Sequence, residues 1–150
     1  MKKFRFNLES VLKYRVNTEN NEKSVLAGLH EELSLFERQR SCLCEEYSSR
    51  SREFEELSKQ GVTVHEIRSS HAFLKNIDYG IEVKTQEIEE QNKLVERQTA
   101  VVVRAMQDTK TLDKLKEGEF RKYEAGARKA QEKFVEEFVL NGISRAETPK

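Results

Sequence analysis

The residues that could do chemistry in this chain are few and poorly spaced for it. The three histidines are His30, His65 and His71, and none stands in an HExxH pattern or at zinc-ligand spacing from a cysteine. Cys42 and Cys44 are two residues apart. On a helix that spacing points them in different directions, so they read as ordinary reduced thiols and not as a bridge or a metal pair. The paired acids Glu45-Glu46, Glu55-Glu56 and Glu136-Glu137 would lie on curved helix faces open to water. Catalytic carboxylates want a pocket that shifts their pKa values, and a thin coil offers none. No glycine-rich loop is present to cradle phosphates. The sequence therefore reads as no enzyme, with no cofactor and no metal. What remains is surface for binding other proteins.

The elements that must position such a surface are helices. Of 150 residues, 36% are charged and 36% hydrophobic, with no Trp, one Pro (Pro149) and six Gly, a balance that suits long helices sharing a thin seam better than a thick core. The 27 basic and 27 acidic side chains cancel, which removes the whole-chain electrostatic case for nucleic acid. Their distribution is uneven. Residues 1–25 hold six basic and three acidic groups, residues 26–100 ten and fifteen, and residues 101–150 eleven and nine. No apolar run approaches a membrane span, and the basic opening Met1-Lys-Lys-Phe-Arg-Phe lacks the apolar stretch of a signal peptide. The expectation is a cytosolic protein with no direct lipid insertion.

The first helix is expected over about 7–60, with Asn7 as N-cap and Phe6 and Val11 as a hydrophobic staple. Phe4, Phe6 and Leu8 alternate like a strand, but no partner strand exists, so a tail packed on the helix end fits better. Val25, Leu29, Leu33, Phe36, Arg40, Leu43, Tyr47, Arg50, Phe54 and Leu57 follow heptad steps with one extra four-step at Leu29 to Leu33, a stutter. Arg15, Thr18 and Glu22 place polar groups in the seam upstream, where the coil should be weaker. Gly61 suits a left-handed helix terminus, and Thr63-Val-His-Glu66 reads as a capping box with Val62 and Ile67 as its staple. The turn is thus expected at about 61–63. The second helix, about 64–140, carries Ile67, Leu74, Ile81, Ile88, Val95 and Val102 at steps of seven. That repeat predicts a left-handed supercoil with a partner helix. The fold class is all-α: a long antiparallel two-helix coiled-coil hairpin, with helix 2 longer than helix 1. Leu8 should face the region of Lys116. Beyond it Phe120, Tyr123, Ala127, Ala130, Phe134, Val135, Phe138 and Val139 form an apolar stripe that a bare hairpin leaves uncovered. Either Phe4 and Phe6 cover part of it or another protein does. Gly142 is expected to mark the helix end, with 143–150 as a disordered tail. Near the turn, Ala72, Phe73, Leu74, Ile77 and Tyr79 are more apolar than a two-helix seam requires, with Leu43, Tyr47 and Phe54 opposite, which suggests a docking patch.

The opening Phe4-Arg-Phe-Asn-Leu-Glu-Ser-Val-Leu-Lys-Tyr-Arg15 resembles the F-x-F-x-L-x-x-V-L-x-x-R start of the FliJ family of flagellar type III export proteins. Leu112-Asp-Lys-Leu-Lys-Glu117 and the charged stretch to Glu137 look like that family's C-terminal half. The resemblance implies an antiparallel coiled coil similar to the γ stalk of rotary ATPases. It implies that the end with both termini enters the FliI-like export ATPase hexamer, that the turn end faces the FlhA-like export gate, and that export chaperones are escorted. Carried onto this chain, Arg5, Lys13, Arg15, Arg121, Lys122 and Arg128 would meet the ATPase ring, on location and charge. Leu43, Tyr47, Phe73, Ile77 and Tyr79 would form the gate-facing patch. The expected location is cytoplasmic, peripheral at the inner membrane through the export apparatus. The alternatives are the equivalent stalk of a virulence secretion system, and a generic coiled-coil chaperone or scaffold such as a prefoldin-like clamp, which would show symmetric apolar tips.

Overall fold

A computed structural model describes residues 3–146, with side chains for residues 3–140. The described chain is all α, with α1 over Glu9–Gln60 and the longer α2 over Val64–Ala146. Neither helix contains a proline, so neither has a residue that cannot donate to the ladder. By contacts the chain divides into two units. One is Asn20–Arg104; the other takes α1 up to Glu19 together with α2 from Ala105.

In the Asn20–Arg104 unit, α1 and α2 run antiparallel on either side of the turn. Gln91 meets Leu29, Gln98 meets Glu22, and Arg50 lies over Phe73, so positions advance on one helix as they fall on the other. The seam residues of α1 are Glu22, Leu26, Leu29, Leu33, Phe36, Arg40 and Leu43, an unbroken alternation of fours and threes. The expected stutter is not there. Val25 stands 52% exposed, and Leu26 takes the seam position. Two adjacent apolar residues offered two registers, and the one that keeps the heptad period keeps Leu29, Leu33, Phe36, Arg40 and Leu43 half-buried, whereas Tyr47, Arg50 and Leu57, expected in the same seam nearer the turn, are exposed. On α2, the sevenfold row turns inward as expected at Leu74, Ile81, Ile88 and Val95, with Ile88 buried, whereas Ile67 beside the turn stays 43% exposed.

The second row of the α2 seam starts with buried Ile77 and then becomes polar: Lys84, Gln91 and Gln98. Gln91 is 6% exposed and donates through Nε2 to the Leu29 carbonyl (3.0 Å) and to Glu32 Oε2 (3.1 Å). Gln98 donates to the Glu22 carbonyl (3.2 Å) and to Glu22 Oε2 (2.6 Å). Lys84 sets its ammonium over the Phe36 ring, 5.1 Å from the centroid, and pairs with Glu87. Among the described residues, no buried side-chain nitrogen or oxygen lacks a partner. Of the polar upstream slots, Glu22 is bonded across to α2, whereas the Thr18 hydroxyl donates to the Tyr14 carbonyl of its own helix. Gly80 gives Leu43 room: a β-carbon there would stand 3.4 Å from Leu43 Cδ1.

In the other unit the first turn of α1 packs beside α2. Glu9 pairs with Lys116 at 2.7 Å, and Arg15 with Asp108 at 3.3 Å, one residue from the expected Leu8 to Lys116 pairing. Leu12 and Val102 are buried in their respective units, and Thr109 is buried with its hydroxyl donating to the Ala105 carbonyl. Asn7 is not the N-cap. Leu8 accepts the first helical bond from Leu12 N–H (2.9 Å), and Glu9 N–H donates to the Phe6 carbonyl (3.3 Å). That tight turn brings Phe6 in to 4% exposure, and Leu12 is buried in place of the expected Val11, which stays 41% exposed. Burying a phenyl ring is worth more than one side-chain cap, which explains the exchange. At its far end, α2 passes Gly142 and continues to Ala146, six residues beyond the expected end. A single glycine costs a helix only about 1 kcal/mol and need not stop it. Residues 147–150 of the expected tail lie outside the described residues.

Candidate interaction surfaces

The turn holds one surface in shape. Gly61 has φ of 93°, a left-handed conformation that favours glycine, and its N–H donates to the Ser58 carbonyl at 3.3 Å. Thr63 N–H donates to Glu66 Oε2 at 2.7 Å, and the Thr63 hydroxyl donates to the same oxygen at 2.8 Å. In return Glu66 N–H donates to Thr63 Oγ1 at 3.3 Å. This reciprocal box satisfies two donors that the start of α2 would otherwise leave open. The Thr63 backbone bond, and then the Thr63 hydroxyl, hold the Glu66 carboxyl below its ordinary pKa, because both favour the charged form.

Beside this turn, Arg50, Glu53, Phe54, Leu57, Ser69, Ser70, Phe73 and Leu74 line a shallow groove. Phe73 is 44% exposed, with the Arg50 guanidinium 5.7 Å above its ring. Arg50 is held in turn by Glu53 at 3.0 Å. Of the other residues expected in a docking patch, Tyr79 is 65% exposed and Tyr47 borders on exposed. Leu43 and Ile77 are different. Leu43 is half-buried against Gly80 and Ile77 is buried, so both shape the seam beneath the patch and present little surface of their own.

The unit containing the first turns of α1 carries a second surface of different chemistry. Phe4 sits edge-on to Phe120, with centroids 5.2 Å apart, and 5.6 Å from Tyr123. This N-terminal ring is the cover expected for the start of the α2 stripe, in the form of a packed tail and not a strand. Phe6 lies with the Lys116 ammonium 6.0 Å from its centroid. Arg5 and Lys13 line an open cavity of about 720 Å³ with Phe4, Phe6, Asn7, Glu9, Ser10 and Lys116. Arg15 is engaged with Asp108, and Arg121 stands 4.0 Å from Glu117. Lys122 and Arg128 are exposed, and Arg128 borders a shallow groove with Gln131, Glu132, Val135 and Glu136. The six cations therefore form no single cluster; Arg5 and Lys13 share a cavity while the rest are spread along the helices. Beyond Tyr123 the apolar stripe is bare: Phe134 is 69% and Phe138 74% exposed, and every residue from 128 to 140 is exposed.

Among the described residues no group of histidine, cysteine or acidic side chains could hold a metal ion, and Cys42 and Cys44 are exposed free thiols. No helix among them is long and apolar enough to cross a membrane.

A protein-family model described as the flagellar FliJ protein matches residues 4–148, nearly the whole chain. The chain belongs to the FliJ family. FliJ proteins are components of the flagellar export apparatus, and the family role is non-catalytic. No curated protein and no solved structure gives a significant match. Within this FliJ chain, the residues that sequence reasoning passed over are Gln91, Gln98, Lys84 and Gly80. A signal was present: Ile77, Lys84, Gln91, Gln98 and Ala105 recur at steps of seven, in phase with the apolar row.

Proposed function

We propose that this FliJ chain is a non-enzymatic stalk that links the hexameric export ATPase to the export gate and promotes ATPase assembly and protein export. The observation that carries the reading is the bare stretch of α2, where Phe134 and Phe138 stand exposed on a helix with no α1 residue beside it. A helix face of that kind calls for a cover. A ring whose central opening surrounds the helix supplies one, and the exposed Lys122 and Arg128 offer it charged contacts. The second contact is the patch of Phe73, Tyr79 and Tyr47 beside the turn, for an FlhA-like gate protein or for export chaperones. Association with the inner membrane would follow through these partners. Two surfaces of unlike chemistry on one chain suit a connector better than a symmetric clamp.

The reading is tested by capture of the hexameric flagellar export ATPase on immobilised chain. Wild type is expected to retain the ATPase, and the variant carrying R121E, K122E and R128E is expected to retain much less. Replacing Phe73 and Tyr79 with alanine should leave that capture intact while weakening capture of the gate protein. Loss of neither interaction on substitution would overturn the assignment.

A further inference from the structure

The seam of α1 changes phase near the turn. From Leu26 to Leu43 its half-buried positions advance by alternating threes and fours, and the same period continued would turn Tyr47, Arg50, Phe54 and Leu57 inward. The chain does otherwise. Arg50 is exposed and its neighbour Ser51 is half-buried; Phe54 stays half-buried, and Leu57 stands 56% exposed. With Tyr47 on the border at 36%, the inward line runs Leu43, Tyr47, Ser51 and Phe54, at steps of four, four and three, which is a stutter. On α2 the facing row of Ser70, Leu74, Ile77 and Ile81 keeps its steps of four, three and four, so the change belongs to α1.

The residue with a reason to leave the seam is Arg50. Its guanidinium lies 5.7 Å from the Phe73 ring centroid and donates to Glu53 Oε2 at 3.0 Å. Phe73 flanks the seam residue Leu74, so a guanidinium over that ring has been carried out of the seam to its flank. Arg40 gives the contrast: it keeps a seam position, half-buried, and has no such holder among the described residues. An arginine can lay its stem along a seam with its head in water. One already bound outside by a carboxylate and a ring would have to give up both. Ser51 is small and enters instead, and the same rotation carries Leu57 outward. Leu57 then lines an open groove with Phe54, Phe73 and Leu74 instead of filling the seam.

We infer that Arg50 sets the packing phase of the last turns of α1, and that the groove beside the turn is open because of it. Two packings compete over this stretch. Both keep Leu43, Tyr47 and Phe54 toward α2; they differ in whether Arg50 and Leu57 or Ser51 joins them. The contacts of Arg50 with Glu53 and Phe73 select the open packing. Without them, burial of Leu57 favours the continuous heptad, and the groove closes. An occupant that touches Leu57 binds the open packing only, so occupancy and packing phase are linked. That the groove docks a partner is the reading proposed above; that Arg50 opens it concerns the chain alone, so the two fail separately.

The test is the solvent exposure of the Leu57 methyl groups in the full chain, read by NMR as their relaxation by a soluble gadolinium chelate. Leu35, which is 46% exposed, and half-buried Leu43 are the internal references. In wild type Leu57 is expected to relax at least as fast as Leu35. In Arg50→Leu, where Leu43, Tyr47, Leu at 50, Phe54 and Leu57 complete the heptad, Leu57 should lose that relaxation and fall to the level of Leu43, and the urea midpoint should rise. Ser51→Leu puts an apolar group on the inward position of the open packing. It should also raise the midpoint, but with Leu57 as exposed as in wild type. A merely stabilising effect of added leucine would not separate the two variants. Circular dichroism should show both as helical as wild type, since both changes lie on a helix that keeps its other seam residues. Leu57 still exposed in Arg50→Leu, Leu57 buried in Ser51→Leu, or Leu57 already as protected as Leu43 in wild type would overturn the inference.

Discussion

Replacing Gln91 separates the two roles a buried amide can play in a helix seam. Gln91 makes two bonds across the helices, one to the Leu29 carbonyl and one to the Glu32 carboxylate. A neutral bond contributes about 1 kcal/mol net and a charged one about 1.5–3. Glu32 is exposed and regains water when released, so the charged bond belongs at the low end. The Leu29 carbonyl sits inside α1, where the helical ladder also reaches it, so it is not orphaned. Gln91→Ala is therefore expected to cost about 2 kcal/mol, lowering Tm by about 4–8 °C. Gln91→Leu loses the same bonds but gains roughly 1.5–3 kcal/mol of apolar burial, so its stability should lie within about 1 kcal/mol of wild type. The amide's second role is register. A buried polar residue in a coil favours the one alignment that satisfies it. The double variant Gln91→Leu/Gln98→Leu should keep its helicity but sample more than one alignment. The assay is urea unfolding for stability, with spin-pair distances between labels at exposed positions 25 and 94, after Cys42 and Cys44 are changed to serine. A broadened distance distribution in the double leucine variant is expected. The reasoning fails if Gln91→Ala is as stable as wild type, or if the leucine variant keeps one sharp distance.

The remaining predictions concern local features. Gly28 lies inside α1 with nothing within 4 Å of a β-carbon, so Gly28→Ala should raise stability by about 1 kcal/mol in urea unfolding. Gly61→Ala should lower it, by about 1 kcal/mol or more, since φ of 93° is strained for alanine. For Glu66, the folded-state pKa is depressed, so the stabilisation from its cap is fully present above the ordinary carboxylate value and is lost as pH falls through the lower folded value. Comparing acid titrations of stability for wild type and Glu66→Gln should show the wild type losing more below about pH 4.5. Phe4→Ala removes the ring packed on Phe120 and Tyr123; increased amide exchange should appear around those residues of α2 and not beside the turn.

The sequence made the turn legible because its determinants are local. Gly61, Thr63 and Glu66 act within six residues, and no distant contact competes with them. The apolar row of α2 was legible because six seam residues at one period leave a single face to bury. Polar seam members were harder to see, since Gln91 and Gln98 look like solvent-facing residues until a long amide is placed opposite a carbonyl and a carboxylate on the facing helix. The choice between Val25 and Leu26 could not be made from hydrophobicity, as both are apolar and adjacent; only the period of their neighbours decides it. Asn7 lost the cap to a distant demand, the burial of Phe6 beside Lys116. Among the proposed contact residues, Ile77 illustrates the same limit. An apolar residue near a docking patch reads the same whether it faces the partner or the seam, and here it is buried in the seam.

The stalk reading is tested most directly by the hydrolysis rate of the hexameric flagellar export ATPase, measured with and without this chain while ring assembly is followed in the same samples. Wild-type chain is expected to raise the rate and the fraction of assembled rings. The F134E/F138E variant, folded but with its bare helix face spoiled, should do neither. An unchanged rate with wild-type chain, or equal stimulation by the variant, would contradict the proposal that this face of α2 works inside the ring.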